Sequence, residues 1–484
     1  MFGGQMYSAY MLNPPRVLSL AVCIPMLLVL PLHAAEPATE LLYYDGLDAQ
    51  GNLVGGVVTV PLPTLMHENL TGGGGSELIW GSGDSSNRID IAIVGDGYLV
   101  GELGLYATQA AQMTSALFAE EPFASYSGLF LVHRVDVVSN ESGVDNDPSE
   151  GIDRDTAMDM AFWCSGIERL LCINLSKAFG YAAAAPAHDQ ILALANSTKY
   201  GGAGYSSSDL GTVSGGNGSA YEVGIHELGH SFGNLADEYT YGGGSDYPYG
   251  EHSSPNASIQ TAAEMIASGT KWAEWLGFSD PQWDGLVDTF EGAAYYTNGI
   301  YRPSNNSKMR ALGRPFNPPS AEALILEMYA LVDPLDSWTP TDAVLHGNEV
   351  VVAQPVQPGG HDLTVSWLLD GSIIAGEVTP SIDLSLLGLT PGAHSIAAVV
   401  IDETPWVRDE AARAALMTSA VSWTIEVEQP CEGDLDGSGA VTIDDLLAVV
   451  DAFGSDNPSG DANGDGVVDA SDLLAILANW GTCP

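Results

Sequence analysis

The stretch HELGHSFGNLADEY, residues 226–239, constrains this chain more than any other. His226 and His230 stand four apart, with Glu227 beside the first. On a helix they share one face with Cβ atoms about 6 Å apart. Both imidazoles can then meet one zinc ion, with Glu227 beside the water to be activated. SAYE just upstream fits a capping box, with Ser219 as N-cap and Glu222 three residues on. A third ligand is needed. If the helix ran on, Asp237 would face the same way as His226 but lie about 10 Å beyond His230 along the axis. The spacing therefore predicts that the helix stops, with Gly233 ending it in a left-handed turn. Such a turn brings Asp237 or Glu238 within range, and Glu264 on a separate helix is a more distant candidate. The plainer alternative is a chance HExxH on an inert helix.

The rest of the chain suits a metalloprotein. At 484 residues it exceeds one compact core, and about three domains are expected. Its 14 Lys+Arg stand against 62 Asp+Glu, a net charge of -48. Such a chain repels phosphate backbones and anionic headgroups, which argues against nucleic-acid and membrane-surface roles and favours cations. Residues 1–35 read as an export signal: Arg16 precedes an apolar run broken by Pro25 and Pro31, and Ala34 and Ala35 offer a cleavage site. No other segment approaches the ~20 apolar residues needed to span a bilayer. The mature chain is expected to be secreted, without membrane insertion. Of its cysteines, Cys164 and Cys172 are neighbours and Cys431 and Cys483 bracket the C-terminal segment. Two local disulfides are the simplest pairing.

Residues 36–85 look like a short β-rich lead-in and linker. RIDIAIVGDGYL (88–99), the helical ELGLYATQAAQMTSALFAEEPF and GLFLVHRVDVVS (128–139) then give strand, helix, strand, the start of an α/β domain over 86–340. YGGAGYSS (200–207) is either an edge strand able to pair with an extended peptide or a plain Gly-rich loop. The acidic loop VDNDPSEGIDRD (144–155) is a solvated loop or, alternatively, a structural calcium site. From 341 to 428, short apolar or alternating runs separated by Gly and Pro predict an Ig-like β-sandwich.

Residues 431–484 differ again. DLDGSGAVTIDD and DANGDGVVDASD are two copies 27 residues apart, in a segment with 11 acidic residues and no Lys or Arg before Pro484. Asp434, Asp436, Ser438, Thr442 and Asp445 in the first copy match Asp461, Asn463, Asp465, Asp469 and Asp472 in the second. These are positions 1, 3, 5, 9 and 12 of a calcium loop, with Gly at position 6 for the sharp turn. Each loop runs into an apolar helix, LLAVVDAF or LLAILANW, no helix precedes it, and Asp stands where an EF-hand has Glu. The pair resembles the type I dockerin, a small all-α calcium-binding module. The resemblance implies two Ca2+ ions and a cohesin-type partner. A Cys431–Cys483 bridge would add about 4 kcal/mol by closing the long loop.

HELGHSFGNLADEY differs from the metzincin pattern HExxHxxGxxH, because its eleventh position is Ala236. It resembles instead the IgA-peptidase family of zinc metallopeptidases, metzincin-like enzymes with an HExxH and a downstream DEY. RIDIAIVGDGY, AFWCSGIERLLC and YRPSNNSKMR carry the likeness across roughly residues 85–335. The resemblance implies that Asp237 is the third zinc ligand, that Glu238 supports it, and that Met309 packs beneath the ligands as a Met-turn. Tyr239 and Tyr301 are candidates for stabilising an oxyanion.

The expected protein is a multidomain, secreted zinc endopeptidase acting on protein or peptide substrates, with one catalytic Zn2+. In that reading Glu227 takes a proton from the attacking water and returns it to the leaving amine. The rival is a non-catalytic adhesion or scaffold protein with a structural metal. A structural zinc site is closed by four protein ligands, whereas the sequence nominates three.

Overall fold

The computed structural model describes residues 39–48, 53–61, 73–240, 244–428 and 431–483. The export-signal reading of residues 1–35 lies outside them. The described residues form a mixed α/β structure with five sheets and eight α-helices. None of these helices is long and apolar enough to cross a membrane.

The central sheet has eight strands: β1 (Thr39–Leu47), β2 (Leu53–Pro61), β3 (Gly73–Trp80), β4 (Ile89–Asp96), β5 (Phe130–Val137), β6 (Gln190–Ala195), β7 (Gly202–Tyr205) and β8 (Leu210–Ser214). Their spatial order is β2-β1-β7-β8-β6-β4-β5-β3. The middle run β8, β6, β4, β5 is parallel, and the outer pairings are antiparallel. Every residue of β4 and β6 is buried, as parallel strands covered on both faces require. Alternation along them divides two cores. Ile91, Ile93, Leu192 and Leu194 pack with Tyr106 and Met113 of α1 (Leu103–Leu117). Ala92, Val94, Ile191 and Ala193 pack with Ala178 and Ala182 of α2 (Leu175–Ala182). The helix of the HELGH motif, α3 (Ala220–Ser231), lies on the α1 side against β7 and β8.

The lead-in segment is no appendage. The β1–β2 hairpin and β3 supply the two outer edges of the sheet. Local apolar alternation identifies such strands but not their partners.

After α3 come α4 (Ala262–Ser268), β9 (Ser279–Asp280), the hairpin β10 (Gly285–Ala293) and β11 (Tyr296–Ser304), and α5 (Pro318–Leu331). A pair of sheets follows, built from β12 (Leu335–Trp338), β13 (Leu345–His346), β14 (Val350–Pro355), β15 (Thr364–Leu369), β16 (Ser372–Ile373), β17 (Ser381–Asp383), β18 (Gly392–Ile401) and β19 (Thr418–Val427), with α6 (Glu410–Leu416) before the last. They are ordered β12-β14-β17 and β13-β19-β18-β15-β16. Val351, Ile382, Trp367, Ile396 and Trp423 of these sheets belong to the same core cluster as α1 and α3. Asp402, fully buried at this seam, accepts hydrogen bonds from the hydroxyls of Tyr126 (2.9 Å) and Tyr329 (2.8 Å) and pairs with His361 Nε2 at 2.9 Å.

In the C-terminal segment, β20 (Ala440–Val441) pairs with β21 (Gly481–Thr482), and α7 (Ile443–Ala452) packs against α8 (Ala470–Ala478). Its core is small and its own: Val441, Val449, Ala452, Ala462, Val468 and Ile476. Cys431 is bonded to Cys483, and Cys164 to Cys172.

Candidate metal centre

Helix α3 starts at the expected place by a different device. Ser219 is the N-cap, but its side chain makes no capping hydrogen bond. Glu222 turns outward to Lys308 Nζ at 2.5 Å and the Gly313 amide at 2.9 Å. A full opposite charge outcompetes a local cap.

The helix ends after Ser231, and the left-handed residue that follows is Asn234 (φ 49°), not Gly233. Asparagine tolerates that conformation because its short polar side chain bonds locally. Gly233 serves packing: a Cβ there would lie 2.7 Å from Leu324 Cδ2 and 3.0 Å from the Gly229 carbonyl oxygen. The Leu235 amide then donates to Gly229 O at 2.9 Å, folding the chain back. Asn256 clamps the next residue, accepting from the Ala236 amide and donating to its carbonyl, both at 2.8 Å.

Asp237 and Glu238 point to opposite sides. Asp237 Oδ1 lies 3.2 Å from His226 Nε2 and 3.3 Å from His230 Nε2. Glu238 is buried elsewhere, accepting from Asn256 (3.0 Å), Asn317 (2.7 Å) and Ser307 (2.7 Å). Both its oxygens are engaged there, and it is not among the residues whose ligand atoms converge with the histidines. Glu264 sits at the start of α4 in a capping box with Thr261, outside the cluster.

Each histidine is oriented by a backbone carbonyl. His226 Nδ1 is 3.0 Å from Lys308 O, and His230 Nδ1 is 2.7 Å from Leu235 O. Donation at Nδ1 leaves the Nε2 lone pairs facing inward, 3.1 Å apart. Met309 is fully buried beneath them: a Cβ on Gly229 would lie 2.6 Å from its sulfur. Gly229→Ala is therefore expected to destabilise the fold by about 1–3 kcal/mol through overpacking. It should also weaken metal binding, since Lys308, which holds His226, adjoins Met309; thermal denaturation and metal titration check both. An unchanged melting temperature would contradict this packing.

A fourth ligand atom, missed in the sequence, comes from β1. Asp45 Oδ2 lies 2.6 Å from His226 Nε2, and Asp45, His226, His230 and Asp237 together form a buried group able to hold a metal ion. Tetrahedral zinc with bonds of about 2.0–2.1 Å spaces its ligand atoms by roughly 3.3 Å. The three separations among His226, His230 and Asp237 match that spacing.

The charges also call for a cation. Asp45, Glu227 and Asp237 are at most 2% exposed. Asp45 Oδ2, both Glu227 oxygens and Asp237 Oδ1 have no hydrogen-bond partner among the described residues. Three buried carboxylates crowded together would be strongly unfavourable without positive charge beside them. Burial, then the Asp45 and Asp237 charges, pushes Glu227 well above the ordinary carboxylate range. For Asp237 burial acts the same way, but His230 and His226 outweigh it and hold the group well below that range. The donor set of two imidazoles and carboxylate oxygens fits Zn2+.

Tyrosines ring the cluster. Tyr239 donates to Asp45 Oδ1 at 2.5 Å, and Tyr295 donates to Asp237 Oδ2. Tyr301 does not join them; its side chain packs with Trp272 and Trp275. Tyr239 follows Asp237 by two residues, and that spacing was a usable signal on extended chain. Tyr295, in a left-handed conformation (φ 72°), had none.

Residues 78–285 match the family model IgA Peptidase M64. The matched stretch contains α3, Glu227 and Asp237, and supports a peptidase of the IgA-peptidase family. It begins after the hairpin that carries Asp45. No curated protein matches the chain.

The two C-terminal loops repeat one bonding pattern. Asp434 accepts from Ser438 N and Gly439 N, and Asp461 from Asp465 N and Gly466 N. Asp445 accepts from the amides of Leu435, Asp436 and Thr442, and Asp472 from those of Ala462, Asn463 and Asp469. Asp434, Asp436 and Asp445 offer converging ligand atoms. In the second loop Asn463 Nδ2 donates to Asp465 Oδ2 at 3.1 Å. Thr442 and Asp469 cap α7 and α8, and Ser438 donates to Ala440 O at 3.1 Å. The 144–155 loop is tied by its own Arg154, whose amide donates to Asp145 and whose guanidinium donates to Ser142 O. That cation inside the loop disfavours calcium there.

Proposed function

We propose that this chain is a secreted, zinc-dependent endopeptidase of metzincin-like architecture, with an Ig-like sandwich and a dockerin-like calcium module. The observation that carries the reading is Glu227: it is fully buried, with both oxygens unpaired among the described residues, beside His226, His230 and Asp237. His226, His230 and Asp237 would hold the zinc. A zinc ion there supplies a Lewis acid that makes water a nucleophile near neutral pH and polarises the scissile carbonyl. Glu227 would take the proton of the attacking water and deliver it to the leaving nitrogen. Its burial suits a base, because desolvation raises proton affinity. The nearby tyrosine hydroxyls are the available donors for a developing oxyanion, with Tyr239 better placed than Tyr301.

The C-terminal pair of loops supports two Ca2+ sites, with Asp434, Asp436, Ser438 and Asp445 in one and Asp461, Asn463, Asp465 and Asp472 in the other. Leu447, Val450, Leu474, Leu477 and Trp480 are half or more exposed on α7, α8 and the residues after α8. Exposed apolar side chains of this kind suit docking onto a cohesin-type domain, which would tether the enzyme to an assembly or surface.

The scaffold reading gains from Asp45, since four protein ligands close a zinc site as a structural one is closed. Caseinolysis by the zinc-loaded chain and by Asp45→Ala, each with and without Glu227→Gln, separates the two. Hydrolysis that chelation and Glu227→Gln both remove is expected. If neither background cleaves casein while each holds one zinc, the peptidase reading is wrong.

A further inference from the structure

We propose that the β1–β2 hairpin is a built-in inhibitor of the site, with Asp45 filling the fourth metal position and β1 lying where a substrate strand would lie. The proposal rests on the peptidase reading above and adds its regulation.

The first observation is closure. A catalytic zinc keeps one position for water or substrate, whereas here a fourth ligand, the Asp45 carboxylate, converges with the other three. The cluster is also sealed: Asp45 is 2% exposed, His230 and Asp237 1%, and His226 and Glu227 0%. Part of the seal is the hairpin, because the Tyr43 ring stacks on the His230 imidazole at 4.4 Å between centroids.

The second is the edge it covers. β7 lies between β8 and β1, and β1 joins it antiparallel through Leu42 opposite Tyr205 and Tyr43 opposite Gly204. Without the hairpin, β7 is the sheet edge nearest α3, with unpaired backbone groups available to an extended peptide. Gly204 faces the catalytic side, since a Cβ there would lie 2.8 Å from Glu227 Oε2. A strand on this edge therefore passes directly by Glu227 and the metal ligands.

The third is fit. Asp45 is opposite Gly55 in the hairpin register. A Cβ at Gly55 would lie 2.1 Å from the Tyr239 hydroxyl oxygen and 2.7 Å from Asp45 Oδ1. The hairpin is thus shaped around the Tyr239–Asp45 hydrogen bond. Outside the cluster it is held by Glu40, which accepts from Ser207 N (2.7 Å) and Ser208 Oγ (2.6 Å), and by Arg169, which donates to Val54 O at 3.0 Å. Its position at the end of the sheet lets it leave without separating β8, β6, β4 and β5. A purely structural site would have no use for the unpaired Glu227 in its wall; a latent catalytic one does.

The test compares the full-length zinc-loaded chain with Asp45→Ala and the near-isosteric Asp45→Asn, using acetohydroxamate as a probe of an open metal position. Calorimetry should show the probe binding both variants at least about tenfold more tightly than wild type, since the competing carboxylate no longer restricts the open state. Both variants should keep one zinc and lose it faster to a chelator. The visible spectrum of the Co2+-substituted wild type should not respond to the probe. A wild-type spectrum that responds at the variants' affinity overturns the proposal. So does failure of natively folded variants to retain zinc, which would make Asp45 an obligatory structural ligand. Probe binding without casein hydrolysis, in Asp45→Ala from which Glu40→Ala has also removed the hairpin's ties to Ser207 and Ser208, overturns the peptidase reading and leaves the placement of Asp45 intact.

Discussion

Glu227→Gln is expected to lower peptide hydrolysis by about 10²–10⁴-fold, the span typical of a lost general acid–base, while the chain keeps its zinc and its fold. That loss is about 2.7–5.4 kcal/mol of transition-state stabilisation. The split between chemistry and binding follows from placement. Glu227 is not among the residues whose atoms converge on the metal position, so neutralising it leaves that donor set intact. Both its oxygens lack hydrogen-bond partners among the described residues, so the amide breaks no existing bond. The substitution also removes one of three crowded buried negative charges, and the melting temperature of the metal-free protein should not fall. Metal content by atomic absorption, paired with casein turnover, checks the claim. Loss of zinc together with activity would make Glu227 a ligand rather than a base.

The second large effect is expected in the C-terminal module. Asp472→Ala removes the acceptor for the amides of Ala462, Asn463 and Asp469 at once. Each orphaned donor costs about 1–3 kcal/mol where it is buried. Domains of this size seldom have more than about 3–5 kcal/mol from their cores, and this core holds few large side chains. Asp472→Ala should therefore melt residues 431–483, read as lost helical circular dichroism and protease cleavage confined to that segment. In the wild type, calcium at a hundredfold over its dissociation constant would add about 2.7 kcal/mol per site, and the Cys431–Cys483 bridge about 4 kcal/mol. Chelating calcium and reducing the disulfide together should reproduce the variant. A module that keeps its helices under both treatments would show that neither staple is needed.

Much of this was legible locally. The apolar runs that became β4, β5 and α1 read correctly because their apolar residues are dense enough to mark each element even where Asp90, His133 or Arg134 interrupts them. The 3.6-residue period placed His226 and His230 on one face, and the axial rise required the chain to turn back before Asp237. The turn itself was misassigned, since glycine is the commoner left-handed residue but Asn234 took that role and Gly233 was kept for packing. The capping box failed because Lys308, distant in sequence, offers Glu222 more than Ser219 can. Asp45 left no trace in the motif. It reaches the cluster through strand pairing between segments far apart, and a solitary aspartate in YYDGL resembles any turn residue. Tyr295 was missed for the same reason, whereas Tyr239 shared the motif's own extended segment.

The Asp402 seam bears on how such a chain can vary. Tyr126 and Tyr329 come from one side and His361 and Asp402 from the other, so replacing the sandwich by an unrelated module would strand two buried hydroxyls at a stroke. Those two parts must change in concert. Residues 431–483 carry a core and a crosslink of their own, and can be lost, duplicated or traded between proteins without a matching change elsewhere. The same polypeptide thus combines a partnership that resists shuffling with a cassette built for it.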